Sequence, residues 1–432
     1  MSDDRPGLLR DPEFLKFWGG QSISLLGTQF TLLALPITAA VTLRATPAEM
    51  GVLTAVQFAP GLLFSLAAGV WLDRTRRRPV LVVTQVASAV VLATIPVAAA
   101  AHVLTMAQLF VVAFLAGSAA TIFVVAQAAF VPTLVGRARL VEANARYQTS
   151  FTVASLIGPG LAGAAVQVLT APLAIAVDAS SFVVGALSAA WLRVTEPVVE
   201  RSPRRHGVRE AAEGLAQLWR QPLVRGITGT LLIANAGGGM AAAVTVLLFV
   251  RQIGLPPAQF GLVFVAASLS SLAGSVLVRP LQRRTGLGPV MVLATVFVAA
   301  GTIVRAGAGF TAQPVTFPLL VAGSLVSGFG LMTYNVPQQA IRQAVIPDRM
   351  LGRTSAGVTL AVYAGSVAAS LAGGLLGQVA GLRWTLVVAT AITAACVLPT
   401  ALGPLRALRD VPGADRSVIP PRVDDQRHSA PG

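Results

Sequence analysis

Asp178 is the one carboxylate of this chain that stands well inside an apolar stretch, and chemistry begins with it. An ionised carboxylate in such surroundings is costly, so its natural role is to bind and release a proton. A structural hydrogen bond to Ser180 or Ser181 is the other reading of the same residue. It lies six positions past Pro172, about 9 Å along a helix from the outer end of that span. A second constellation is Gly69-Val70-Trp71-Leu72-Asp73-Arg74-Thr75-Arg76-Arg77-Arg78. Here Gly69 allows two helices to approach closely, Asp73 is placed to cap the start of a neighbouring helix, and Arg74, Arg77 and Arg78 hold one face. Such an arrangement is a conformational latch, unless the arginines serve only to orient the chain. A third is Gly158-Pro159-Gly160-Leu161-Ala162-Gly163, where Pro159 removes a helical hydrogen bond and kinks the helix while Gly158 and Gly163 permit tight packing. Its second-half counterpart, Ala369 to Gly374, lacks the proline. Neutral polar side chains are scattered among apolar ones: Gln29, Gln57, Gln127, Asn235, Tyr334, Asn335, Gln338 and Tyr363. They suit either the wall of a cavity for amphiphilic ligands or bonds between helices. His102, His206 and His428 lie far apart, and Cys396 is the single cysteine, so neither a metal centre nor a catalytic triad is expected. The chain reads as a non-enzyme with no cofactor.

The elements that position these residues follow from composition. Hydrophobic residues make up 55% of 432 positions and charged residues 11%, where a soluble domain is about a quarter charged. Pro79 to Gly136, Tyr147 to Val177 and Gly226 to Val250 hold no charged side chain, and each exceeds the ~20 apolar residues that cross a bilayer as helix. Breaks in the pattern give twelve spans near 18-42, 50-72, 80-101, 106-131, 147-169, 172-192, 224-250, 259-278, 289-308, 317-341, 354-380 and 384-405. The first span follows a charged lead and is too long for a cleaved signal.

The net charge of +15 does not gather on one surface, as nucleic-acid binding would require; the basic residues alternate along the chain. With the amino terminus inside, all of the 32 basic residues fall on inner segments except Arg44, Arg251, Arg305 and Arg383, which places both termini in the cytoplasm.

An internal repeat divides the chain. Thr46 to Gly51 recurs as Pro256 to Gly261 at a displacement of 210, which also carries Arg74 to Arg284 and Pro79 to Pro289. A displacement of 211 carries Gly117 to Gly328, Gln127 to Gln338, Leu140 to Leu351 and Gly163 to Gly374. Two parallel six-helix halves are expected, 1-193 and 223-405, joined by a cytoplasmic linker, 194-222, and followed by a disordered cytoplasmic tail, 406-432. Within the linker Val208, Ala212, Leu215, Leu218 and Trp219 recur at helical spacing, as a short helix lying on the membrane face would have them, or else the segment is a solvated loop.

The Gly69 to Arg78 loop resembles the loop signature of the major facilitator superfamily, and Gly158 to Gly163 resembles the antiporter signature of that family with Ala162 replacing one glycine. With Ser24-Leu25-Leu26-Gly27, Ala34-Leu35-Pro36, Leu140 to Ala145, Asp178 to Phe182 and Pro347 to Arg353, the whole chain except its tail is similar to the drug-exporting and siderophore-exporting branch. This is the enterobactin-exporter-like, transmembrane secretion effector type. The resemblance implies an all-α membrane protein of the major facilitator fold: a monomeric multi-pass transporter of the cell's inner (plasma) membrane. It would export small amphiphilic molecules by alternating access, as a proton-coupled antiporter. Uptake, facilitated diffusion or a non-transporting sensor or assembly subunit are the alternatives. One departure bears on coupling: members of the branch carry an acid after the glycine of span 1, and here Thr28 follows Gly27.

Overall fold

The structure, a computed structural model, describes residues 7–72, 74–194, 196, 221–410 and 412. Among the described residues twelve long helices run back and forth: α1 (Pro12–Ile37), α2 (Pro47–Leu72), α3 (Arg77–Ala100), α4 (Met106–Val135), α5 (Leu140–Leu169), α6 (Ala171–Ala190), α7 (Pro222–Val246), α8 (Pro257–Thr285), α9 (Leu287–Ala308), α10 (Thr316–Val345), α11 (Asp348–Val379) and α12 (Leu382–Ala394), the last continued by a short α13 (Val397–Leu402). Eleven of the twelve are long and apolar enough to cross a membrane. The other, α2, has 26 residues and no charged residue between Glu49 and its end at Leu72.

Local sequence sets the helix ends. Asp11 accepts from the N–H groups of Glu13 and Phe14 and caps α1, with Pro12 at the first helical position, where its missing N–H costs nothing. Thr46 and Glu49 form a reciprocal capping box at the start of α2: the Glu49 carboxylate accepts from the Thr46 N–H at 2.7 Å, and the Glu49 N–H donates to the Thr46 hydroxyl at 3.2 Å. The abrupt turns after α5 and α11 rest on single residues at positive φ, Thr170 (+89°) and Gly381 (+87°). These two positions are 211 apart, so the repeat extends into the turn geometry.

Helices α1–α6 pack among themselves in the same pairings as α7–α12: α1 with α5 and α6, α2 with α4, α3 with α4 and α6, and correspondingly α7 with α11 and α12, α8 with α10, α9 with α10 and α12. The halves meet through α2–α11, α5–α8 and α2–α7. Away from the face where the chain begins, one apolar core runs through both halves, from Phe30, Leu33 and Met50 to Phe249, Phe260 and Leu320. Toward the terminus face the buried residues separate: Phe14, Phe17, Leu72 and Phe130 form one cluster in the first half, while Ile227, Leu287 and Ile341, and Val224, Ile346 and Val358, form two in the second. The molecule is therefore closed on the far face, and its halves are independent at the near one. Val83, Val97 and Val124 are more than half exposed, as residues that face lipid must be.

One assignment made from the sequence changes. Residues 406–410 do not belong to a free tail: the Leu408 and Arg409 carbonyls accept from the Gly288 and Leu287 N–H groups at 2.7 and 2.9 Å, satisfying the start of α9. Arg305, counted among the four basic residues off the inner segments, lies inside α9, in the span expected near 289-308. The expected linker helix around Val208 to Trp219, and the chain beyond 412, lie outside the described residues.

Candidate functional site

Between the halves lies a cavity of about 630 Å³ lined by α1, α2, α5, α7, α8, α9, α10 and α12. Of the polar residues singled out in the sequence, Gln29, Gln57 and Asn235 line it. The others stand elsewhere. Tyr334 is buried in the near-face core of the second half, and Gln338 donates to Asn335 at 3.4 Å one turn further along α10. Gln127 is half-buried in α4. Tyr363 fills the space left by Gly61, with its ring 6.2 Å from that of Phe58, which does line the cavity. Neutral hydroxyls and amides interrupt an apolar wall, and among the described residues a single cation, Arg305, enters it.

The glycines of the repeat prove to be the points where the halves touch. A Cβ on Gly51 would lie 2.7 Å from the Cα of Gly374 and 2.8 Å from the Ser370 carbonyl; a Cβ on Gly374 would lie 2.8 Å from the Pro47 carbonyl. At the symmetry-related seam, a Cβ on Gly163 would lie 2.6 Å from the Pro257 carbonyl, and Gly261 abuts the Pro159 carbonyl. Each partner in one seam is the other's counterpart displaced by 210 or 211 positions. Backbone contact this close replaces the hydrophobic effect, which is absent between helices in lipid. The Gly158-Pro159-Gly163 motif therefore works in two directions: Gly158 seats Gln29 of α1, Gly163 seats α8, and Pro159 contributes to the cavity wall. Widened π-helical turns at Thr38–Thr42 and Leu247–Gln252 end α1 and α7 at the same sealed face. There the Arg251 guanidinium donates to the Ala45 carbonyl at 2.6 Å, joining the halves.

Asp178 is buried and lies outside the cavity wall, in the α1–α6 contact, accepting from the Ser181 hydroxyl at 3.2 Å. Gly27 makes room for it, since a Cβ there would fall 2.8 Å from its Oδ1. It sits at the end of a polar seam. On α6, Ser188, Gly185, Ser181 and Asp178 share a face that meets Gly20, Ser24 and Gly27 of α1. Gln85 of α3 donates to Gln21 at 3.3 Å and accepts from Ser24 at 3.4 Å within it. The Thr28 hydroxyl donates back to the Ser24 carbonyl at 2.9 Å.

At the near face, Asp73 lies outside the described residues and nothing is described of how Gly69 packs, but the arginines are placed. The backbone N–H groups of Arg77 and Arg78 both donate to the Glu196 carboxylate at 2.7 Å, which caps α3. The Arg78 side chain returns to the end of α6, where its guanidinium donates to the Ala189 and Ala190 carbonyls. Helix starts attract carboxylates and helix ends attract cations, so the exchange is favourable at both. Glu196 was not legible as a cap, because it comes more than a hundred residues after the helix start it serves.

Two pseudo-symmetric six-helix bundles closed over a cavity on one face define a transporter that carries small molecules across a membrane. The chain belongs to the Major Facilitator Superfamily, whose family model matches residues 17–251 and 227–421. It is 26% identical over 342 residues to the multidrug efflux pump Tap of Mycolicibacterium fortuitum, covering 76% of this chain and 80% of that protein. It is 28% identical over 268 residues to the enterobactin exporter EntS of Citrobacter koseri, covering 60% of each chain. Among solved structures the nucleoside transporter NupG superposes with a TM-score of 0.72 at 13% identity, over 90% of this chain and 98% of that one, which establishes the shared fold.

Proposed function

We propose that the chain exports small amphiphilic molecules from the cytoplasm by alternating access, in exchange for protons. The observation that carries this reading is the cavity: apolar walls with a few neutral hydrogen-bonding groups, including Gln29, Gln57 and Asn235, sealed on the far face by glycine seams that can part and reform. Names of the efflux relatives support the outward direction. The charge distribution supports cytoplasmic termini in an inner (plasma) membrane and hence an inward-facing state, with a monomer sufficient to complete the cavity.

In this reading substrate enters from the cytoplasm, the near-face halves close, and the α2–α11 and α5–α8 seams open. Asp178 supplies the proton site. Its support is the seam of hydroxyl and amide groups that leads to it from the near end of α1 and α6, separate from the substrate cavity. The motif of Gly69, Asp73, Arg74, Arg77 and Arg78 is the latch of the near face, and the Arg78–Glu196 exchange supports that reading.

The test is flux in proteoliposomes with an imposed pH gradient, using a panel of toxic amphiphiles first identified on an efflux-deficient host. Substrate accumulation that follows the gradient and collapses with a protonophore is expected. Accumulation indifferent to the gradient would leave an exporter without proton coupling, and no flux at all would leave a sensor or assembly subunit.

A further inference from the structure

We propose that Arg305 anchors a carboxylate carried by the transported molecule, so that the amphiphiles this protein handles are organic anions. The inference rests on the transport reading above and adds the substrate's charge. Of the four arginines outside the terminus-facing segments, three are accounted for. Arg44 is exposed, Arg251 donates to the Ala45 carbonyl, and the Arg383 guanidinium lies 5.8 Å from the centre of the Phe310 ring. Arg305 is half-buried in the cavity wall, three residues before the end of α9, and its enclosed Nε has no hydrogen-bond partner among the described residues.

No counter-ion in its own half can reach it. From Pro222 to Leu402 the sequence holds a single carboxylate, Asp348, at the opposite, terminus-facing end of the bundle. Asp178 belongs to the other half, is absent from the cavity wall and is engaged with Ser181. A guanidinium left alone within the span is costly, yet the structure makes space for it. The Arg305 stem packs on Gly323 of α10, where a Cβ would lie 2.7 Å from the Arg305 Cγ. Thr302, Ser324, Ser327 and Thr390 line the same cavity and give its wall hydroxyl groups. A stem that merely snorkels to headgroups would carry its charge to the lipid surface rather than into an interior wall. The planar fork matches a carboxylate in bidentate geometry, which selects this group over a cation or a neutral ester. The Arg305 backbone lies about 4–5 Å from the end of α9, by the rise of the helix.

Binding to the purified full-length protein decides the matter, with 2-naphthoate, its methyl ester and 2-naphthylmethylammonium as probes and sodium chloride as the inorganic control. The acid should bind about tenfold or more tightly than the ester, as a charged hydrogen-bonded pair predicts. Arg305→Gln should erase that preference, and Arg305→Lys should restore only part of it. Equal binding of acid and ester to the unaltered protein overturns the proposal without any variant having to fold. Preference surviving in Arg305→Gln, or chloride alone producing the whole effect, overturns it too. Flux of the ester equal to that of the acid would remove the anion site and leave transport standing. A preference for the acid with no flux of any probe would leave the site and remove transport.

Discussion

Arg78 and Glu196 show how single side chains hold the near face of the first half. One carboxylate satisfies two N–H groups at the start of α3, and one guanidinium satisfies carbonyls at the end of α6. Each partner is a charged hydrogen-bonding group, so Arg78→Ala should lower stability by about 1–3 kcal/mol. Because both ends lie within one half, it should also loosen the near face without detaching the halves; thermal unfolding in detergent measures the first effect. A normal melting profile would mean that the exchange contributes nothing. Asp178→Asn tests the other residue-scale claim. The amide keeps the shape and the bond to Ser181 but cannot ionise, so gradient-driven accumulation should be lost while downhill exchange survives. If the Asp178→Asn variant still concentrates substrate in response to pH, Asp178 is a packing residue.

The helices meet where side chains are missing, and this dictates what substitution does to the conformational cycle. A Cβ at Gly51 or Gly374 collides with backbone, which cannot rotate away as a flexible side chain would. Gly51→Val and its counterpart Gly261→Val should therefore part the sealed face and favour the outward-open state. Labelling of a cysteine placed at Leu33, beneath that seal, should become several-fold faster from outside in either variant. Unchanged labelling would show that the seams do not gate. The turn between α5 and α6 carries a different strain. Thr170 holds φ at +89° and ψ at 156°, a region open to glycine alone, at a cost of order 1–3 kcal/mol. Its counterpart is already glycine, so Thr170→Gly should raise the melting temperature without altering transport; a fall would mean that the threonine side chain makes a compensating bond.

At the scale of the whole molecule the two halves repeat each other in pairing, turn geometry and the atoms of their shared seams, which is what a rocking exchange about a central site requires. Orientation in the membrane is testable by reporter fusions: one after Arg77 should report the cytoplasm and one near His102 the outside. The reverse pattern would invert the direction of export proposed here.

The sequence by itself determined the span pattern, the two halves and the register between them, because long uncharged runs admit helix alone in lipid and a common offset needs no coordinates to be seen. It also singled out Gly51, Gly163, Gly261 and Gly374 as matching positions, and Asp178 as a buried acid. It did not show that those glycines touch across the two seams, since contact between residues some hundred to more than three hundred positions apart depends on how bundles face one another. For the same reason the neutral polar residues could not be sorted: helical periodicity says which residues share a face, whereas Gln29 and Asn235 reach the cavity and Tyr334 enters a core only because of what packs opposite. Arg305 gives the clearest case. Counted along the chain it joined the outer charges, being a few residues from a helix end, and only the packing of α9 on Gly323 of α10 turned it inward, where a charge without a partner acquires a purpose.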